Sequence, residues 1–398
     1  MVDRTRTAPL SPDAACVRAL LRWFERERRP LPWRRDRDPY SIWISEVLLQ
    51  QTRVAAAIPY YERFLARFPD VDALARARPQ EVLRLWQGAG YYARARHLSA
   101  AARTIVRRFG ARFPSSVEEL ETLPGVGPYI ARAVASLAFD RPVLALEANG
   151  RRIAARLWGE RGAGEDPRVV RRLTERMTAL LPPVRPGAFN EAWMELGETV
   201  CHPRTPACPR CPIRRWCRAS AELEDPGEIP RRRKRAPKPH VRAAVVVLRA
   251  GRRWLLHRRP PTGLLGGLYE FPGGKIHPGE SPAAAAKREW REETGLPVPP
   301  LVARGVVHHS YSHFSVELHV FEGAILRARP TAERRALRWV DASEMTRLPL
   351  PAATVTIARR LGILGPSDPA PVPRGPTRKV RPNPALRRIP SRRSSPSR

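Results

Sequence analysis

The chain has little lysine and little acid. Only five of its 72 basic residues are lysines, and 38 acidic residues leave a net charge of +34 over 398 residues. An excess this large points to a polyanionic partner, nucleic acid being the commonest, although abundant Arg, Ala and Pro together also fit a GC-rich genome. No apolar run approaches the ~18 residues of a membrane span. The opening MVDRTRTAPLSP lacks the apolar stretch that comes after the charges of a signal peptide. The expectation is a soluble, cytoplasmic chain. Cysteine is scarce too: Cys201, Cys208, Cys211 and Cys217 crowd one window and Cys16 stands apart. Four thiols this close in a cytosolic chain suggest metal ligation rather than disulfides.

Length allows two or three domains, and 42% hydrophobic residues is enough for real cores. Residues 13–218 carry a helical pattern, with Trp43, Val47 and Val54, then Ile130, Val134 and Leu137, recurring at helical spacing. Residues 219–240 read as a linker: the acidic Glu222, Glu224 and Asp225 precede Pro230 and the run Arg231, Arg232, Arg233, Lys234, Arg235. Residues 241–365 turn to strand patterns, AAVVVL, WLLH, VELHVF and LRWV, around one helical segment, which predicts an α+β domain. Residues 366–398, with nine basic residues, one acid and much Pro and Ser, are expected to form a disordered basic tail adding at most non-specific phosphate affinity.

The cysteines are spaced C-x6-C-x2-C-x5-C. A structural zinc site usually pairs two C-x2-C knuckles, and only one is present. Four thiolates on a compact loop suit a [4Fe-4S] cubane better, with zinc the alternative. Cys16, beside Val17 and Leu20, reads as core. Upstream, Leu123-Pro124-Gly125-Val126-Gly127 joins two helical patterns. Gly125 and Gly127 permit positive φ in a tight turn whose N–H groups point outward, and Pro128 suits the first position of the next helix. Such a nest holds a phosphate, although a purely structural turn has the same composition.

Together these features resemble the helix-hairpin-helix DNA glycosylases that carry an iron–sulfur loop, and among them the MutY-type adenine glycosylases. The matching segments are LPWR (31–34), DPY (38–40), IWISEVLLQQTRV (42–54), GAGYYARAR (88–96), LPGVGPY, FNEAWMELG (189–197) and the four cysteines. The resemblance implies an all-α helix-hairpin-helix domain with a [4Fe-4S] loop at 201–217. It further implies a monomeric, nucleoid-associated base-excision repair enzyme acting on double-stranded DNA with adenine opposite 8-oxoguanine or guanine.

Adenine leaves deoxyribose poorly as an anion, so one acid must protonate the base and a second must stabilise an oxocarbenium-like sugar. Glu46 lies among Ile44, Val47, Leu48 and Leu49, where desolvation raises a carboxyl pKa. By the resemblance it is the general acid at adenine N7, assisted by Tyr129. Tyr129 stands where the related endonuclease III type carries a Schiff-base Lys, so a simple glycosylase without lyase activity is implied. The family's usual Asp is replaced by Glu147, with Asn149 retained two positions on; Glu147 is expected to be functional, with a displacement of about 1 Å able to cost on the order of 100-fold in rate. The resemblance further implies that Gln51 and Tyr91 enter the duplex as wedges and that Thr52 and the backbone near Ala89 lie against the opposite purine. Arg29, Leu31, Trp33, Val54 and Glu191 would line the adenine pocket. Leu31 and Val54 also suit core positions, whereas Gln50-Gln51 inside an apolar helix calls for a partner.

Residues 274–296, GKIHPGESPAAAAKREWREETGL, fulfil the Nudix pattern. Glu289, Glu292 and Glu293 at i, i+3 and i+4 put three carboxylates on one helical face, where Mg²⁺ would bridge them to a pyrophosphate. MutY-type proteins usually carry a decayed box in a domain that reads 8-oxoguanine, and this box is intact. Tyr311-Ser312-His313 resembles the family's Phe-Ser-His segment, whose Ser and His read the oxidised base. Recognition is the favoured reading; hydrolysis of an oxidised nucleotide by a Nudix domain tethered to a DNA-binding helical half is the alternative.

Overall fold

The computed structural model describes residues 12–231, 237–311, 314–328 and 336–366. Ser312, His313, part of the linker and nearly all of the tail lie outside the described residues. The first domain is helical: α1 (Pro12–Glu27), α2 (Pro39–Leu49), α3 (Val54–Arg67), α4 (Val71–Arg76), α5 (Pro79–Leu85), α6 (Ala93–Phe109), α7 (Val117–Glu121), α8 (Pro128–Phe139), α9 (Ala148–Trp158), α10 (Pro167–Leu180), α11 (Pro186–Thr199) and α12 (Arg218–Glu222). Starts are chemically marked. Asp38 caps α2 by accepting from Ser41 N at 2.9 Å, with Pro39 in the first turn, and Asp166 caps α10 in the same way.

Two apolar cores form. One collects Trp43, Phe64 and Trp86 from α2, α3 and the end of α5; the other collects Leu20, Ile153, Leu173 and Phe189 from α1, α9, α10 and α11. Helix α8 packs against both α2 and α11, which fixes the distance between the cores. Gln50 and Gln51 are not inside a helix: α2 ends at Leu49 and both are exposed beyond it. At the α7–α8 turn only Gly125 has positive φ, at 75°, and a Cβ there would lie 2.4 Å from that of His97. Gly127 is instead the extended N-cap residue of α8 (φ −91°), and a Cβ on it would meet nothing within 4 Å.

The second domain has β1 (His240–Ala250), β2 (Arg253–Arg258), β3 (Tyr269–Glu270), β4 (Gly273–Lys275), α13 (Pro282–Thr294), β5 (Leu301–Ser310), β6 (Ser315–Ile325), β7 (Leu337–Val340), α14 (Ala342–Thr346) and α15 (Ala352–Arg360). Its mixed sheet runs β3-β2-β1-β6-β5, with β4 also on β1 and β7 on β2; β1 and β6 are parallel, Val245 facing Val320, and the other pairs antiparallel. Apolar cores cover both faces, α13 with Trp290 on one and α15 with Ile357 on the other. Strand β5 was not legible because its alternation breaks at a bulge between Ala303 and Val306, where Gly305 takes φ 91°. The domains interlock: Leu268 is fully buried in the first domain's core, and Gln87 Oε1 accepts from Leu350 N at 3.2 Å.

Candidate active site

A cleft of about 770 Å³ opens between the two helical cores, and Glu46, Tyr129, Glu147 and Asn149 all line it, with Arg29, Leu31, Trp33, Val54 and Glu191. Glu46 is 5% exposed. Burial pushes its carboxyl up to about 7; the hydrogen bond with Tyr129 and the charge of Arg34 oppose the rise, while Glu147 and Glu191 add to it. Burial and the neighbouring Glu46 hold the Tyr129 hydroxyl well above its ordinary value, so it donates to the carboxyl rather than ionising. Glu147 caps α9. Its two oxygens accept from Asn149 N at 2.5 Å and Gly150 N at 2.8 Å, so the longer side chain folds back onto its own helix. Burial raises its pKa, and those N–H groups and Arg152 only partly restrain the rise.

The segment before Glu147 has no helix or strand of its own. Asn190, 1% exposed on α11, holds it by accepting from Ala145 N at 3.1 Å and donating to Val143 O at 2.9 Å. Asn149 turns to Glu198 and Arg152, at 3.1 and 2.6 Å. Arg29 is bound by Glu195 at 2.6 and 3.0 Å, and Arg34 reaches Glu195 at 2.9 Å and Glu191 at 3.1 Å. Burial pushes Glu195 up, but Arg29 and Arg34 more than reverse this and hold it below the carboxylate range. Sequence reasoning missed Arg34, Glu195 and Asn190. The spacing of Glu191 and Glu195, i and i+4 on one face of FNEAWMELG, was an available signal. Gln51 and Thr52 stand at the mouth of the cleft, and Tyr91, Gly125 and Gly127 lie outside its lining.

Residues 44–179 match the family described as HhH-GPD superfamily base excision DNA repair protein, and residues 243–360 match the NUDIX domain. Over 384 residues the chain is 35% identical to adenine DNA glycosylase of Rattus norvegicus, covering 82% of this chain and 74% of the rat protein. The chain belongs to the adenine DNA glycosylase family. The adenine DNA glycosylase of Mycolicibacterium smegmatis is 41% identical over 201 residues, which is 50% of this chain and 68% of that protein. A solved thermostable thymine-DNA glycosylase overlaps 53% of this chain and 97% of its own, at 27% identity and a TM-score of 0.48.

In this adenine DNA glycosylase chain Cys201, Cys208, Cys211 and Cys217 line one shallow cavity, together with Arg156. Arg156 is 2% exposed and donates to Cys201 Sγ at 3.2 Å and to the carbonyls of His202, Pro203 and Ile229. A buried guanidinium facing four thiols fits an anionic metal–thiolate group, whose charge it would balance. Burial pushes Cys211 up to about 12 and raises Cys217, which favours neutral thiols until a metal takes the sulfur. Cys16 is core, as its neighbours imply.

In the Nudix-fold domain, Gly273 is the constrained glycine, with φ 154° and the backbone of Ala244 and Val245 where a Cβ would stand, whereas a Cβ on Gly274 would meet only the movable end of Glu289. The three glutamates do not converge. Arg288 takes Glu289 at 2.8 Å and Glu292 at 3.3 Å, whereas Glu293 accepts from Gly273 N at 2.9 Å and lies 3.4 Å from His257 Nδ1. The expected three-carboxylate face is thus divided between Arg288 and the β4 side.

Proposed function

We propose that this chain hydrolyses the N-glycosidic bond of adenine mispaired with 8-oxoguanine or guanine in double-stranded DNA, acting as a cytoplasmic, nucleoid-associated monomer. The observation that carries the reading is Glu46, buried beside Tyr129 with its carboxyl held near 7, in a cleft whose facing wall presents Glu147. Glu46 donates its proton to adenine N7 while the C1′–N9 bond breaks, so the base leaves neutral. Tyr129 restrains the acid and receives the hydrogen-bonding change as Glu46 ionises. Glu147, held by the N-terminus of α9, faces the positive sugar until water adds at C1′ and releases a proton. Arg29, Leu31, Trp33, Val54 and Glu191 wall the base, Gln51, Thr52 and Tyr91 meet the duplex, and Gly125 and Gly127 hold a backbone phosphate.

No lysine precedes Lys234, so the helical domain has no ε-amine for a Schiff base, which supports a glycosylase without lyase chemistry. Cys201, Cys208, Cys211 and Cys217 would hold a [4Fe-4S] cluster whose metal–thiolate bonds fix the loop carrying Arg204, Arg210, Arg214 and Arg215 against DNA. The Nudix-fold domain is the lesion reader: Tyr311 and Phe314, which flank Ser312-His313 in sequence, stack with centroids 4.8 Å apart, and His309 meets Tyr311 edge-on at 4.6 Å. The test is single-turnover cleavage of a duplex with adenine opposite 8-oxoguanine, alkali revealing the abasic site. The wild type should release adenine and Glu46→Gln should not; equal rates would remove Glu46 from the chemistry.

A further inference from the structure

One half-buried cation has no part in the proposed mechanism. Arg94, on the first turns of α6, pairs with no carboxylate among the described residues. Its guanidinium instead collects backbone carbonyls from two separate loops. Nη1 donates to Val47 O at 2.7 Å, Leu48 O at 3.2 Å and Gln50 O at 2.6 Å, the open carbonyl end of the helix that carries Glu46. Nη2 donates to Ala89 O at 2.9 Å and Gly90 O at 3.2 Å. The rings of Trp86 and Tyr91 lie 5.3 and 5.5 Å from its central carbon, and Trp86 Nε1 adds a bond to Gly90 O at 2.9 Å.

Both sets of carbonyls lead into the same kind of backbone. Directly after Gln50 comes Gln51 at φ 63°, and directly after Gly90 comes Tyr91 at φ 48°, both left-handed without being glycine. Such backbone persists only where surrounding contacts over-determine it. We infer that Arg94 is a positioning residue that clamps the Gln51 and Tyr91 loops into one rigid double wedge, so that entry of both into the duplex is coupled to the helix bearing Glu46. The inference rests on the reading that these two loops penetrate DNA. A planar five-donor fork suits this work, because a lysine ammonium has three donors at one point and cannot span both loops.

The test places 2-aminopurine at the adenine position opposite 8-oxoguanine and reads its brightening on binding as base extrusion. The proteins compared are wild type, Arg94→Lys, Gln51→Ala and Tyr91→Ala, each checked for an intact thermal transition. Arg94→Lys keeps the positive charge and carries the test even if Arg94→Ala does not fold. The clamp predicts that Arg94→Lys loses extrusion amplitude at least as far as the worse wedge variant, roughly tenfold. The pH midpoint of the residual excision should stay unchanged, since Glu46 keeps its surroundings. If both wedge variants extrude like the wild type, the wedge reading fails and the clamp with it. If the wedge variants lose extrusion while Arg94→Lys keeps it, the clamp alone is overturned. A displaced pH midpoint with normal extrusion also overturns it, because Arg94 would then act through the acid.

Discussion

Glu46 shows how one side chain sets both activity and stability. Its carboxyl is protonated below about 7 and ionised above, so single-turnover excision should fall as pH rises through that value, approaching tenfold per unit. A rate that climbs across that range excludes it as the donor. Between the ordinary carboxylate value and about 7 the folded protein holds a proton that the unfolded chain releases. Stability from this group is therefore present at low pH and lost as pH rises through the window. Glu46→Gln should lower excision on the order of 10²–10⁴-fold. It should also raise the melting temperature near pH 8, by the equivalent of at most about 3 kcal/mol, and change it little near pH 5. Glu147 behaves differently because its oxygens cap α9. In Glu147→Gln the amide oxygen keeps one cap bond, so melting should move by only about 1 kcal/mol. The charge facing the sugar is gone, so excision should drop on the order of 100-fold; an unchanged single-turnover rate would end its assignment. Glu46 was legible from its apolar neighbours in sequence, whereas the pairing of Glu195 was not, since Arg29 and Arg34 lie 166 and 161 residues away and only the fold joins them.

Helix ends and loops were less legible than helices. The pattern Val47-Leu48-Leu49 runs straight into Gln50-Gln51 with no Gly or Pro to mark a stop, and the carbonyls freed at that end are met by Arg94 from another helix. The α7–α8 turn was readable because Pro124, Gly125 and Pro128 each have a local job, yet the roles of its glycines differ. The cysteine loop has only two short 3-10 turns, Cys208–Arg210 and Arg214–Trp216, and its first residues are held by Arg152 and Arg156. Cys211→Ser should give protein without the brown colour of iron, weaker DNA binding and a lower melting temperature. A colourless wild type holding one zinc would instead contradict the cluster. On α13 the i, i+3, i+4 spacing was read from sequence alone, but Arg288, which takes two of those carboxylates, was in the same motif and divides them. Incubation with an oxidised deoxyguanosine triphosphate and Mg²⁺ should release no pyrophosphate, and Glu292→Gln should leave excision from DNA unaltered. Steady pyrophosphate release by the wild type, lost in Glu292→Gln, would restore the hydrolase reading.

At the scale of the whole molecule, the lesion reader proposed for the Nudix-fold domain would be useful only if held against the helical domain. Four side chains do this through five hydrogen bonds beside the buried Leu268: Gln87 with Leu350 N, Tyr92 with Leu350 O, Gln80 with Gly267 O, and Arg96 with Gly266 O and Gly263 O at 2.9 and 3.1 Å. The same helices, α5 and α6, flank the Gly88–Tyr91 loop, so docking also sets where the second domain stands relative to that loop. Each such hydrogen bond contributes about 1 kcal/mol net. Removing three with Gln87→Ala plus Arg96→Ala should therefore weaken docking by about 3 kcal/mol, on the order of 100-fold in the docked-to-undocked ratio. Adenine opposite guanine, which offers the reader no oxidised base, should be cut at nearly the wild-type single-turnover rate. Adenine opposite 8-oxoguanine should lose its advantage, so the ratio of the two rates falls towards one. If both rates fall together, the contacts serve the helical domain's own stability. If the ratio is unchanged, discrimination resides in the helical domain and the second domain is not the reader.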